Sequence, residues 1–303
     1  MRKLESVLVI LDKPKHSQAA LDKALSLQAA TGAHLHLVAF CWHPMCEQRE
    51  VFDAHQRRVM KKEILRVREE WLWDLVRDHK LNAADITVEV TWAKDIATWV
   101  AGAVVERGNS LVVKSVHRSD SFLHTPLDWQ LLRQSPVPVL LVNIPAKRGK
   151  SARTPSGKKL GKDVLASIDL RHNDRKHRTL NLRVLDAAAR FAQISGGKLH
   201  CVAVVEYSQV LSDLDFINVR RIRSEVIAKT QDLLAAMLEP YDIAKSRIHR
   251  PAGKVGQMVA ATARKTNAGL MVVGSAAAGR GLIGSSAEKI LDRAPCDLLV
   301  VHP

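Results

Sequence analysis

The sequence contains no apolar run that approaches the roughly 20 residues needed to cross a bilayer. The opening residues 1–5 lack the apolar core of a signal peptide. Only four cysteines occur among 303 residues, and their uneven spacing is not that of a disulfide framework. These absences predict a protein without a membrane segment, in a reducing compartment, and we expect it to be cytoplasmic.

Signatures of catalysis are absent as well. The chain has no nucleophile elbow with an ordered Ser-His-Asp set, no P-loop lysine, and no paired carboxylates in a recognisable cleft motif. We therefore assign no catalytic residue. Any nucleotide hydrolysis would be slow, because positioning alone would have to drive it.

Positive charge is what the sequence has in excess, with a formal net charge of +15. Most basic residues alternate with acidic ones, and only residues 147–162 and 171–178 concentrate positive charge. No helix-turn-helix, zinc finger or aromatic stacking motif accompanies that charge. Nucleic acid is thus a disfavoured partner, and a charge-driven RNA- or DNA-binding stress factor stands as an alternative.

The two halves of the chain resemble each other at an offset of about 160 residues, the size of one α/β domain. The matching stretches are 6–12 with 163–169, 34–40 with 198–204, 110–114 with 269–274, and 136–142 with 295–301. This repeated pattern indicates a tandem duplication. It predicts a first domain at residues 1–145, a basic linker at 146–162, and a second domain at 163–303.

Within each half, apolar strands alternate with helical patterns. The predicted second-half elements near the ligand edge are a strand at 164–168, a helix at 179–195 and a strand at 198–205. Strands that are apolar on both faces predict an α/β fold of two tandem doubly wound domains, each a parallel five-stranded sheet with helices on both faces. Such sheets bind ligands beyond the carboxyl ends of their strands.

The clearest candidate site lies in Leu270–Pro303. An apolar run stops at Gly274, and a helical pattern begins after Gly284, Ser285 and Ser286. A strand, a glycine loop and a helix N-terminus bring backbone N–H groups and the positive end of the helix dipole together, which suits a phosphate. An ordinary tight turn between a strand and a helix has the same pattern.

These features resemble the universal stress protein family in its tandem two-domain form, closest to the E-type. The resemblance covers essentially the whole chain. It implies a Rossmann-like fold and a ligand-sensing stress-response protein with little or no catalysis. It further implies that the domains pair through their last strands, residues 139–142 and 298–301, and it allows a homodimer.

The resemblance also implies that the second domain binds ATP or another nucleotide. Asp169 matches the family's aspartate at the nucleotide site, and Val204 falls where the family's second strand lies against adenine. The implied nucleotide- or phosphate-binding residues are Asp169, Val204, Gly274, Gly284, Ser285 and Ser286. The second glycine of the family signature falls on Ala277, and the spacing to the next signature glycine is shortened.

The first half departs from the nucleotide pattern. Lys114 stands at the position of Gly274, and a T-P-x-D-W segment (residues 125–129) that resembles the E-type members replaces the glycine-serine turn. Pro126 removes an N–H donor and Trp129 is bulky, so we expect no phosphate cradle there. All six tryptophans lie in this half. They either fill the core or line a pocket for an apolar or acyl ligand.

A metal centre is a further alternative in the first half, although we expect no required metal. The pattern C-x-H-x2-C offers zinc ligands, and two histidines share one face of the preceding strand. The residues of this alternative are His34, His36, Cys41, His43 and Cys46. The pattern has no second knuckle, and His200 repeats His36 without the cysteines, which favours a packing role.

Overall fold

A computed structural model describes residues 4–116, 126–144, 163–172, 174–207, 218–275, 290–291 and 293–303. Three residues of the predicted phosphate loop, Gly284, Ser285 and Ser286, lie outside the described residues. The predicted linker at 146–162 also lies outside them. None of the described helices has the length and apolar character required to cross a membrane.

The elements of the two halves follow the same order along the chain. The helices are α1 (Ala19–Thr31), α2 (Ala54–Asp78), α3 (Ile96–Glu106), α4 (Pro126–Gln134), α5 (Arg175–Ser195), α6 (Val219–Leu238) and α7 (Val255–Lys265). The strands are β1 (Ser6–Ile10), β2 (His34–Cys41), β3 (Ile86–Trp92), β4 (Leu111–Val116), β5 (Val139–Asn143), β6 (Val164–Ser167), β7 (Leu199–Val202), β8 (Ile248–His249), β9 (Leu270–Gly274) and β10 (Asp297–Val301).

The chain forms two compact units, the first made of residues 2–115 and 134–137, and the second of residues 116–133 and 138–303. In the first unit, β1 lies between β2 and β4, and β3 pairs with β2; all of these pairs are parallel. Strand β1 is apolar after Ser6 and buried, as expected of a parallel sheet that helices cover on both faces, whereas the buried strand β4 includes Lys114 and Ser115.

In the second unit, β6 lies between β7 and β9, and β8 and β10 extend the parallel sheet on either side. The strand order therefore reverses at β6 and β9. Strand β5 joins this unit antiparallel to β10, with Leu141 opposite Leu298 and Leu140 opposite Leu299. The predicted pairing of the last strands and the predicted doubly wound α/β fold are confirmed.

The corresponding helices α1 and α5 end in the same way. Each stops at a glycine, Gly32 or Gly196, with φ of 69° or 67°. A residue with a side chain adopts this left-handed conformation at a cost, so glycine is favoured as the stop. The predicted end of the second-half helix at residue 195 is confirmed.

Two predicted boundaries at the ligand edge of the second unit are wrong. Helix α5 begins at Arg175 instead of residue 179, because Asp174 caps it by accepting hydrogen bonds from the N–H groups of Lys176 (2.9 Å) and His177 (3.1 Å). Strand β7 ends at Val202 instead of residue 205, so Val204 lies beyond the strand. Residues 175–178 of the basic stretch are thus helical.

Candidate functional site

Asp169 lies two residues beyond the end of β6, and its backbone is held by the buried side-chain amide of Asn181 in α5. The N–H of Asp169 donates to Asn181 Oδ1 at 3.0 Å, and Asn181 Nδ2 donates to the carbonyl of Asp169 at 2.7 Å. The first repeat uses the same device, since the N–H of Asp12 donates to Gln18 Oε1 at 3.1 Å. Each repeat thus fixes an aspartate where its central strand ends.

The carboxylate of Asp169 is engaged by Arg171. The N–H of Arg171 donates to Oδ1 at 2.9 Å, its Nε donates to the same oxygen at 2.9 Å, and its Nη2 donates to Oδ2 at 2.7 Å. Burial raises the pKa of Asp169, but the hydrogen bonds and charge of Arg171 outweigh burial and hold that pKa below its usual value. Asp169 is therefore a carboxylate at neutral pH.

Arg171 also pairs with Glu206, which follows β7. Its Nη1 donates to Glu206 Oε2, so one guanidinium joins the chain segments after β6 and after β7. The hydrogen bond to Asp169 is the main reason that the pKa of Arg171 is raised. Two carboxylates and one cation thus meet at the carboxyl end of the sheet.

The start of α5 adds positive charge to this edge. Arg175, Lys176 and Arg178 are exposed in or next to the first turn, which contains no acidic residue. The rings of His172 and His177 stack with their centroids 4.6 Å apart. Because the N-terminal end of a helix is itself positive, this edge of the unit favours an anionic group.

Gly274 ends β9 directly under α5. A Cβ atom at this position would lie 2.6 Å from Leu180 Cγ, closer than side chains pack. The glycine is thus required by the contact between helix and strand, whether or not a phosphate binds. The next residue, Ser275, is fully buried, and its hydroxyl makes no hydrogen bond within the described part of the chain.

Val204 is half-buried between two backbone hydrogen bonds. The N–H of Ala203 donates to the His249 carbonyl at 3.0 Å, and the N–H of Val205 donates to the Pro251 carbonyl at 2.8 Å. These bonds extend the sheet past the end of β7. They place an apolar side chain two residues before Glu206.

Three residues of this edge were not predicted from the sequence: Asn181, Leu180 and Glu206. Asn181 carries a detectable signal, because asparagine is a poor residue for the middle of a helix unless its side chain has a partner. Glu206 has no such signal, since a lone carboxylate after a strand is ordinary.

The corresponding edge of the first unit holds a buried lysine. Lys114 is 5% exposed and its Nζ donates to the carbonyl of Ser115 at 2.9 Å. The hydroxyl of Ser115 accepts from the N–H of Ala20 at 2.9 Å, near the start of α1. A long cationic side chain therefore stands at the position that glycine has in the second repeat.

The residues of the zinc alternative have separate partners. His34 Nε2 lies 2.8 Å from Thr87 Oγ1, and the His43 ring accepts from the N–H of Met45. His36 is buried and lies 2.9 Å from Glu89, and burial lowers the pKa of that histidine. Within the described ranges, no group of His, Cys, Asp or Glu is arranged to hold a metal ion.

The six tryptophans are half-buried or exposed, and none of them is among the fully buried core residues. Cations lie over four of their rings: Lys61 over Trp92, Arg68 over Trp71, Lys94 over Trp42 and Arg107 over Trp99. Each cation shields an aromatic face while its own charge stays near water.

Comparison with known proteins gives consistent matches along the chain. The sequence model of the Universal stress protein family matches residues 3–143 and 178–302. Universal stress protein E of Escherichia coli strain K12 is 23% identical over 312 aligned residues, which cover 100% of this chain and 95% of that protein. Universal stress protein A homolog 1 of Coxiella burnetii is 32% identical over 149 residues, which cover 46% of this chain and 95% of that protein.

Solved structures share the fold of the whole chain. A functionally unknown protein from Pseudomonas aeruginosa PAO1 matches with a TM-score of 0.72 and 21% identity, covering 99% of this chain and 93% of that one. A universal stress protein from Archaeoglobus fulgidus DSM 4304 matches with a TM-score of 0.64 and 19% identity, covering 100% and 99%.

Proposed function

The chain belongs to the universal stress protein family in its tandem form, and from that premise we propose that its second repeat binds ATP or another phosphate-bearing ligand. The role is that of a cytoplasmic, ligand-sensing stress-response protein. It is a binding function, with little or no catalysis.

The observation that carries this proposal is the placement of Asp169 at the carboxyl end of β6. Strand order reverses at β6, and ligands of doubly wound sheets bind beyond the strand ends at such a point. Asn181 fixes the backbone there, so the carboxylate has a defined position. A preorganised acceptor binds a hydroxyl-bearing ligand at a lower entropy cost than a mobile one does.

The chemistry of the edge suits a nucleoside phosphate. A carboxylate accepts hydrogen bonds from ribose hydroxyls, and Val204 offers an apolar contact for a base. The positive start of α5 attracts phosphate. We propose that Gly284, Ser285 and Ser286 complete the site as phosphate-binding residues, with Gly274 at its base.

Asp169 is poorly suited to acid–base catalysis. A general base works best when its pKa lies near the working pH, and Arg171 holds the pKa of this carboxyl below its usual value. The carboxylate is therefore a weak base but a strong hydrogen-bond acceptor. This supports a role in binding, and we assign no catalytic residue.

Isothermal titration of the full chain with ATP and ADP tests the proposal. We expect one site per chain, and Asp169→Asn weakens binding by about tenfold because a charge-assisted acceptor is lost. Asp12→Asn is the matched control, since it changes the same position of the first repeat and should leave binding intact. Gly284→Trp should abolish binding. Absence of heat at millimolar nucleotide with the unaltered chain would overturn the proposal.

A further inference from the structure

The carboxylate of Asp169 has hydrogen-bond donors within its own chain. Both of its oxygens accept from the Arg171 guanidinium, and the main-chain N–H of Arg171 supplies another bond to Oδ1. His172 Nδ1 lies 3.4 Å from Oδ2. Ribose hydroxyls need the same oxygen lone pairs, so a nucleoside must compete with Arg171 for them.

Arg171 is held from two sides and still reaches solvent. Its guanidinium bridges Asp169 and Glu206, and the side chains of these three residues are 34%, 29% and 29% exposed. The trio carries two negative charges and one positive charge. The Arg171 guanidinium can therefore exchange a carboxylate partner for the phosphate of an incoming ligand while it stays in contact with solvent.

Resting on the proposed function, we propose that Arg171 makes the site selective for phosphorylated nucleosides over bare nucleosides. Its guanidinium occupies Asp169 until a phosphate group draws it away. Phosphate offers the same two-pronged hydrogen bonding as a carboxylate, so the exchange leaves the guanidinium paired. A bare nucleoside displaces Arg171 from Asp169 and supplies no acceptor to replace that carboxylate, whereas the ion pair with Glu206 remains.

The selectivity follows from differential binding. A ligand shifts a conformational equilibrium only by the difference between its affinities for the two states. In the state in which Arg171 has left Asp169, ATP makes two contacts: its ribose binds Asp169 and its phosphate binds Arg171. Adenosine gains only the first contact and pays the full cost of release, which lowers its apparent affinity.

The test compares ATP and adenosine by titration calorimetry on the full chain, with Arg171→Gln and the control Arg58→Gln. Gln at residue 171 frees Asp169, so adenosine should bind about threefold to tenfold more tightly, while ATP loses a charge-assisted contact and binds about tenfold more weakly. The preference for ATP over adenosine thus falls by about 30-fold to 100-fold. Arg58→Gln removes the same charge from an exposed residue of α2 and should leave the binding of both ligands unchanged.

Arg171→Lys is a second variant in case Arg171→Gln fails to fold. It keeps the positive charge and loses only the planar guanidinium that can make two parallel hydrogen bonds. We expect its preference for ATP to lie between those of the unaltered chain and Arg171→Gln. If ATP binds and the preference is the same in all variants, Arg171 is a structural ion pair and the inference fails while the nucleotide site stands. If no variant binds either ligand, the proposed function fails together with the inference.

Discussion

At the scale of single residues, Gly274 shows how a motif glycine has a structural reason of its own. It matches the nucleotide signature, yet a side chain there would collide with Leu180 of α5. We expect Gly274→Ala to lower the free energy of unfolding by about 1–3 kcal/mol through overpacking. Urea unfolding followed by circular dichroism measures the change.

Gly102 provides the control for that substitution. It is exposed within α3, and a Cβ atom there would meet nothing within 4 Å. Gly102→Ala should therefore stabilise the chain by about 0.5–1 kcal/mol. In the double variant, Leu180→Ala should relieve much of the strain of Gly274→Ala. Additive effects of the two substitutions would contradict the contact.

The buried histidine His302 should make the stability of the protein depend on pH in the acid range. Burial lowers its pKa from 6.5 to about 4, so the unfolded chain binds a proton in that range while the folded chain does not. The folded state is therefore fully stable above pH 6.5 and loses stability as the pH falls towards 4. The loss is on the order of 2–3 kcal/mol.

Urea unfolding between pH 7 and pH 4.5 measures this loss. His302→Gln removes the titrating group, so its stability should fall less steeply than that of the unaltered chain. His55 is exposed at the start of α2, and His55→Gln should leave the profile unchanged. Equal slopes in all three proteins would rule out His302 as the source.

At the scale of elements, α5 carries charges that oppose its own dipole. Lys176 lies in its first turn, where a positive charge is unfavourable. We expect Lys176→Glu to stabilise the chain by about 0.3–1 kcal/mol and to weaken ATP binding, because the charge serves the ligand at the expense of the helix. Thermal unfolding and titration calorimetry measure the two effects.

Arg264 is the matched control for this trade-off. It lies in the last turn of α7, where positive charge is favourable. Arg264→Glu should therefore destabilise the chain and leave ATP affinity alone. A Lys176→Glu variant that is less stable than the unaltered chain, or that binds ATP with unchanged affinity, would contradict this trade-off between helix stability and ligand binding.

The start of α5 also shows what the sequence could and could not predict about elements. The apolar stripe of α5 begins at Leu180, so periodicity placed the helix near residue 179. The true start depends on Asp174, whose carboxylate caps two N–H groups. An aspartate within a basic stretch is as compatible with a solvated turn as with a cap, so pattern alone does not separate them.

At the scale of the whole molecule, the repeat was sufficient to predict the fold. Matching strands in both halves gave the doubly wound architecture, and the family resemblance is confirmed by the match of the family to both halves. The network of Asp169, Arg171 and Glu206 was beyond prediction, because it joins turns after two strands through a side-chain geometry that no spacing encodes.

The pairing of β5 with β10 predicts how the second repeat behaves alone. A fragment of residues 163–303 lacks β5, so the apolar strand β10 becomes an open edge. We expect the fragment to self-associate as a dimer through β10. Light scattering after size-exclusion chromatography measures its mass. Leu299→Lys should return it to a monomer, and a monomeric unaltered fragment would contradict the prediction.

We propose that the duplication left a ligand site in the second repeat and none in the first. A crystal structure of the full chain grown with millimolar ATP tests it most directly. We expect nucleotide density beside Asp169 and Gly274, and none beside Asp12 and Lys114. Density at the first repeat, or an empty edge at Asp169, would contradict it.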